Sequence, residues 1–159
     1  MFVKTLLISV GSKTIRDIPF QMGVNLIVDE TPTTDLHKSG NNVGKTTVIR
    51  LIDFCLGGNG RNIYLDPEFR DQSNTVVENF LKKNNVVITL VLKEDLKVAE
   101  SDEITIRRNF LQYNKKIQEI DGTQYTNDDR FQAALKSLIF RSHGVKPSFR
   151  QIIAKNIRD

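Results

Sequence analysis

Between Val24 and Leu56 the chain spells an apolar run, a polar loop, the sequence Gly44-Lys45-Thr46-Thr47 and a helical pattern, in that order. No other feature constrains the fold as much. "VNLIVDE" is nearly continuous in apolar residues through Val28, which predicts a strand buried on both faces. "TPTTDLHKSGNN" is polar with one proline and reads as a surface loop. After Gly44, residues Val48, Leu51, Ile52, Cys55 and Leu56 recur at helical spacing, and Ile49 and Phe54 widen the apolar face. Gly57-Gly58 ends that helix. Such a chain must deliver a loop directly onto the N-terminus of a largely buried helix.

The segment from Lys38 to Thr47, "KSGNNVGKTT", has the spelling of a phosphate-binding loop in the context that such a loop requires. The residues assigned to nucleotide are Ser39, Gly40, Asn41, Asn42, Val43, Gly44, Lys45, Thr46 and Thr47. Backbone N–H groups of residues 41 to 46 can turn inward around the outer phosphates, toward which the helix points its positive end. Gly44 permits close backbone approach, and Lys45 brings a mobile charge. Thr46 offers a hydroxyl to Mg²⁺, bridging two phosphates of ATP. The first position of G-x-x-x-x-G-K-[ST] is Ser39 here, with Gly40 one residue later. Serine costs little space, and Asn41 and Asn42 tolerate left-handed backbone.

The rest of the chain alternates in type. Phe2–Val10 and Thr14–Phe20 read as a strand pair around Gly11-Ser12, with Val24–Val28 a third strand. "NGRNIYLDPEFRDQSN" is an irregular connection, and Thr75–Lys83 a short helix. Val86–Leu92, Glu103–Phe110 and Lys116–Ile120 are strand-like, the last followed by an Asp121-Gly122 turn. Phe131–Phe140 is an amphipathic helix with Phe131, Ala134, Leu135, Leu138 and Ile139 on one face. Pro147 suits the first turn of a last helix, Ser148–Ile157.

Composition sets the class. The 159 residues are 39% hydrophobic and 26% charged, enough apolar material for one core. The net charge of +4 suits a polyanionic partner or a solvated basic surface equally well. The single cysteine, Cys55, excludes an internal disulfide and sits in the apolar helical pattern, so it reads as core. No apolar stretch approaches the ~20 residues of a membrane span, and the expectation is a cytoplasmic protein without membrane association.

"GVNLIVDE…KSGNNVGKTTVIRLIDFCLGG" resembles the N-terminal ATP-binding lobe of the SMC/RecN/RecF-like branch of ABC-type ATPases. Asn41 falls on the Asn of that branch's G-x-N-G-x-G-K-[ST] loop, and Asn42 replaces the following Gly. More narrowly the chain is similar to the YydD-like ATPases of bacterial three-component ABC systems, through the insertion Asp29–Lys38, the "LIDFCLGG" helix and the ending "KPSFRQIIAKNIRD". The resemblance covers nearly the whole chain. It implies an α/β fold: a P-loop NTPase N-terminal lobe with a mixed β-sheet, an antiparallel β-subdomain around the P-loop helix, and C-terminal helices. It implies ATP and Mg²⁺ as cofactors, and a dimer in which a second ATPase lobe or head completes the site. DNA and the other components of a three-component system are further implied partners, with a role in genome maintenance or in defence against mobile elements. A basic residue near Arg16 can meet the nucleotide in such ATPases; a surface strand residue is the other reading.

That machinery also needs a Walker B segment, four apolar residues then Asp-Glu, and a signature loop. Neither is spelled in the sequence. Glu94-Asp95 has the wrong order and reads as a charged hairpin turn, and "CLGGNG" reads as a helix stop. Residues 1–159 are therefore expected to form a single, incomplete ATPase lobe that binds ATP and hydrolyses it poorly. Gln151 is the candidate for the metal-touching Q-loop glutamine, or a surface helix residue. His37, in the inserted loop, is a nucleotide contact or a solvated residue. Arg61 and Arg70 meet phosphate or a partner, or are solvated. Arg141, Lys146, Arg150, Lys155 and Arg158 meet DNA phosphates, or form the polar face of a helix packed through Phe149, Ile152 and Ile153. A non-catalytic nucleotide-sensing or adaptor module that pairs with a separate chain is the alternative function. A small P-loop kinase or GTPase would need a substrate lid or an N-K-x-D motif, and neither is found.

Overall fold

A computed structural model describes residues 1–27, 45–65 and 72–157. Six strands form one sheet: β1 (Phe2–Val10), β2 (Lys13–Pro19), β3 (Val86–Lys93), β4 (Glu103–Asn109), β5 (Gln118–Ile120) and β6 (Thr123–Gln124). Their spatial order is β2-β1-β3-β4-β5-β6. Four helices accompany them: α1 (Lys45–Cys55), α2 (Thr75–Lys83), α3 (Asp128–Phe140) and α4 (Phe149–Asn156).

Strand alternation builds the core. Leu6 lies opposite Leu90, Leu90 opposite Ile106 and Ile106 opposite Ile120, a row of apolar side chains across four strands. All four are buried. The same face carries Ile88 and Ile104, and the helices cover it with Val48, Leu51, Phe54 and Cys55 of α1, Leu81 of α2, Phe131 and Leu135 of α3, and Phe149 and Ile153 of α4. The opposite face is more polar: Leu7, Thr89, Arg107 and Glu119 line up in register there, with Arg107 ion-paired to Glu119 at 2.8 Å. Period-two burial on one face is what an antiparallel sheet with one covered side requires.

Side-chain caps set the helix starts. Asn74 accepts from the Val77 N–H and Asn127 from the Arg130 N–H, each satisfying an otherwise orphaned donor. Ser148 and Gln151 form a reciprocal capping box. Ser148 is therefore the cap of α4 and Pro147 precedes it, rather than lying in its first turn. The turn Asp121-Gly122 has φ of 48° and 78°, the left-handed pair of a tight hairpin, and it closes onto the short strand β6, which the sequence did not announce.

Three expectations are corrected. The sheet is not mixed: among the described residues every strand pair is antiparallel. The segment 24–27 is not a strand, and Val24 and Leu26 are 88% and 81% exposed. A local turn forms there instead: the Asn25 side chain accepts from the Gln21 N–H at 2.9 Å and donates to the Gln21 carbonyl at 2.8 Å, closing a loop over residues 21–25. Val28 lies outside the described residues. Leu138 shares the helical spacing of the buried face of α3 but is exposed, because that face is already filled by Phe131 and Leu135.

Candidate functional site

Helix α1 begins at Lys45, so Lys45-Thr46-Thr47 lie in its first turn. Of the residues assigned to nucleotide, Ser39 to Gly44 lie outside the described residues, as do Val28, Asp29–Lys38 with His37, Arg70 and Arg158. Thr46 is exposed in the first turn, and its hydroxyl has no partner among the described residues. Thr47 is half-buried and Val48 buried. From there α1 turns its apolar side to the sheet, packing on β3 and β4. Cys55 is fully buried beside the Ile88 carbonyl, and burial pushes its thiol up to about 12, against the opposing pull of Arg108.

The C-terminal end of α1 is held unusually firmly. Gly57 adopts φ of 86°, its N–H donates to the Phe54 carbonyl at 3.1 Å, and the Gly58 N–H donates to the Asp53 carbonyl at 2.8 Å. This is a Schellman stop, which the Gly57-Gly58 pair announced. A β-carbon on Gly58 would sit 2.1 Å from an Asp53 carboxylate oxygen, so this position admits glycine alone.

Two arginines converge on the same end. Arg108 of β4 donates through Nη1 to the carbonyls of Phe54 and Gly58, and its guanidinium lies over the Phe54 ring, 4.3 Å from the centroid. Arg150 of α4 donates to the Leu56 carbonyl at 3.1 Å and pairs with Asp53. Cations at a helix C-terminus complement its negative end. Burial lowers the Arg108 pKa, opposed by the nearby Cys55 and by Asp128. Asp128, which starts α3, accepts from Lys116 at 2.6 Å and from the Gln118 amide at 3.0 Å, and the Lys116 bond holds its carboxyl below the usual range. Phe54 stacks on Phe110 with centroids 4.6 Å apart, and Gly60 lies so close to both rings that a β-carbon would meet Phe54 at 2.9 Å.

The structure separates the remaining sequence candidates. Arg16 is exposed on β2, opposite Ile8, and makes no ion pair among the described residues. Gln151 accepts from the Ser148 N–H at 2.8 Å, which gives it a capping task at the start of α4. Phe149 and Ile153 are buried, so α4 packs on the body as its apolar pattern predicted. Arg141 pairs with Glu94, which lies in the connection between β3 and β4. Sequence reading missed Arg108 as an anchor. Its signal was an arginine in step with Ile104, Ile106 and Phe110 on the alternating face of one strand.

Among the described residues the fold is a six-stranded antiparallel sheet covered on one face by four helices. Among solved structures, a chain reported under the structural biochemistry of ATP-driven dimerization and DNA-stimulated activation of SMC ATPases is similar to it. The TM-score is 0.52 at 17% identity, over 99% of this chain and 100% of that chain. At that identity the likeness is one of fold. No protein-family model matches the sequence, and no curated protein matches it. No helix among the described residues is long and apolar enough to cross a membrane.

Proposed function

We propose that this chain is the ATP-binding lobe of an SMC-like, ABC-type ATPase head. The observation that carries the reading is the placement of Lys45-Thr46-Thr47 in the first turn of α1, in a fold similar over its whole length to an SMC ATPase chain. In this reading the N-terminus of α1 supplies its positive end to the phosphates and Lys45 supplies a mobile charge. Gly44 and the segment from Ser39 to Val43 shape the cradle. The exposed hydroxyl of Thr46 fits one oxygen position of a Mg²⁺ ion that otherwise keeps water and phosphate oxygens. When bound, that ion would neutralise charge on the outer phosphates. The Schellman stop and the two arginines fix the far end of α1.

Hydrolysis falls to a second lobe or head, because neither a Walker B segment nor a signature loop is spelled here. The exposed Val24 and Leu26, on the segment leading into the loop, support a partner surface at that edge. ATP-dependent dimerization and DNA stimulation are carried over from the structural neighbour as part of this proposal. A place among YydD-like three-component systems, in the cytoplasm, with a role in DNA repair or defence, is its finer form and rests on the sequence resemblance. Calorimetry of Mg-ATP binding beside Lys45→Ala tests the core of it. Saturable binding lost in the variant supports the lobe. A folded chain that binds no nucleotide would instead favour the adaptor reading.

A further inference from the structure

We propose that one end of the sheet, where the β1–β2, α2–β3 and β4–β5 connections meet, binds single-stranded nucleic acid, with phosphates on Lys13, Lys83 and Lys115 and one base on the ring of Tyr113. This surface is independent of the nucleotide reading and shares no residue with Lys45-Thr46-Thr47. The DNA stimulation carried over above names neither a surface nor a form of nucleic acid.

Strand register brings the three tips together. Val10, at the end of β1, lies opposite Lys13 on one side and Val86 on the other, which places Lys13 two strand spacings, roughly 10 Å, from the start of β3. Lys83 closes α2 just before that start. Asn109, at the end of β4, ties in the third tip. Its buried amide donates to Asn85 Oδ1 at 2.7 Å and to the Lys115 carbonyl at 2.8 Å, and its Oδ1 accepts from the Ile117 N–H at 2.8 Å. The tips therefore stand in a fixed row.

Charge is sorted along the strands. Lys13, Lys83 and Lys115 are exposed, and their ammonium groups have no partner among the described residues. Lys82 and Lys116 beside them are paired with Glu78 and Asp128. No acidic residue occurs in 10–14, 82–86 or 109–117, the stretches that form this end. The β3–β4 connection at the opposite end carries Glu94, Asp95, Glu100 and Asp102 against Lys97. A polyanion is drawn to the lysine end.

Tyr113 selects the form of polyanion. It is 93% exposed, and its φ of 56° lies in the left-handed region, which bulky residues rarely adopt. The turn holds it there: its carbonyl accepts from the Lys116 N–H at 3.1 Å, and the Gln112 carbonyl accepts from the Lys115 N–H at 3.3 Å. Backbone outliers of this kind cluster where a side chain serves a ligand. The ring makes no aromatic or cationic contact among the described residues. A flat ring standing among free lysines matches the pairing of stacking platform and backbone cations that holds single strands. In a duplex the base faces are stacked on one another and closed to it.

The test is fluorescence anisotropy of the full chain with a labelled oligothymidylate of about 12 nucleotides, without ATP or Mg²⁺. The expected result is saturable binding, about tenfold tighter than to a duplex or an abasic strand of the same length. Its log–log dependence on salt should have a slope of about −2, roughly −0.7 for each of the three lysines. Lys83→Ala should make that slope shallower by about 0.7. Tyr113→Ala should weaken binding about tenfold, and Tyr113→Phe should keep it. Lys45→Ala should leave it unchanged, so a failure here stays distinct from a failure of the P-loop reading. Absence of binding, equal affinity for duplex or abasic strand, or a Tyr113→Ala variant that binds like the parent overturns the proposal. Loss of binding in Lys45→Ala overturns it too, because the strand would then occupy the start of α1.

Discussion

Arg150 lies across Asp53 as a two-pronged pair, Nη1 at 2.8 Å from Oδ1 and Nη2 at 3.1 Å from Oδ2, and so ties the last helix to the final turn of α1. The residues are 97 positions apart in sequence, and both side chains are largely withdrawn from water. A two-pronged arginine–carboxylate pair fixes orientation as well as distance. Because Arg150 also caps the Leu56 carbonyl, α4 acts as a brace on the helix that starts at Lys45. Arg150→Gln should therefore destabilise the fold by about 1–3 kcal/mol, measured by urea unfolding. A double-mutant cycle with Asp53→Asn should show coupling of at least about 0.5 kcal/mol. Additive single effects would mean that the pair contributes nothing beyond its parts.

Gly58→Ala tests the same corner by a different route. The added methyl would stand 2.1 Å from Asp53 Oδ2 and 2.7 Å from the Asp53 carbonyl oxygen. Both contacts are impossible, so either the Schellman bond or the Asp53–Arg150 pair must open. Loss of one part-buried, charge-assisted pair together with backbone displacement amounts to about 2–4 kcal/mol. Thermal unfolding measures it, and a variant as stable as the parent would show that the loop relaxes freely.

How much of this was legible beforehand depends on the range of the forces concerned. Helix α1 and its stop were legible because apolar spacing and a Gly-Gly pair are local signals. The strands β1, β3 and β4 were legible from alternation, and Cys55 from its place on the apolar stripe. The strand expected at Val24–Val28 was misread because an apolar run reports only a wish to be buried, not a neighbour to pair with. There the Asn25 side chain closes onto Gln21 instead. The convergence of Arg108 and Arg150 on α1 was not legible, because it depends on strand register and helix docking that join residues 50 and more positions apart. The placement of Lys45 at a helix start is described, while Ser39 to Gly44 lie outside the described residues.

Asp128 should set part of the acid limb of stability. Its folded pKa is depressed, first by the hydrogen bond from Lys116. A depressed carboxyl contributes stability that is present above its unfolded pKa of about 3.9 and lost as pH falls through the folded value. NMR titration of the carboxyl carbon should place Asp128 below the ordinary aspartate range, and Lys116→Met should return it toward that range. Unchanged titration in the variant would remove Lys116 as the cause.

Cys55 makes the opposite prediction at high pH. In the folded chain its thiol stays protonated until about pH 12, because burial beneath the sheet penalises the thiolate. In the unfolded chain it ionises near pH ~8.5. The folded state therefore keeps the full contribution of this group below that value and loses it as pH climbs toward 12. Cys55→Ala should flatten the alkaline limb of the stability profile, although loss of the buried sulfur lowers stability at neutral pH. The native thiol should also react with an aromatic disulfide reagent at pH 8 only as fast as the protein opens, with full reactivity appearing in denaturant. Rapid labelling of the folded protein would place the thiol in reach of solvent and contradict the buried contact with the Ile88 carbonyl.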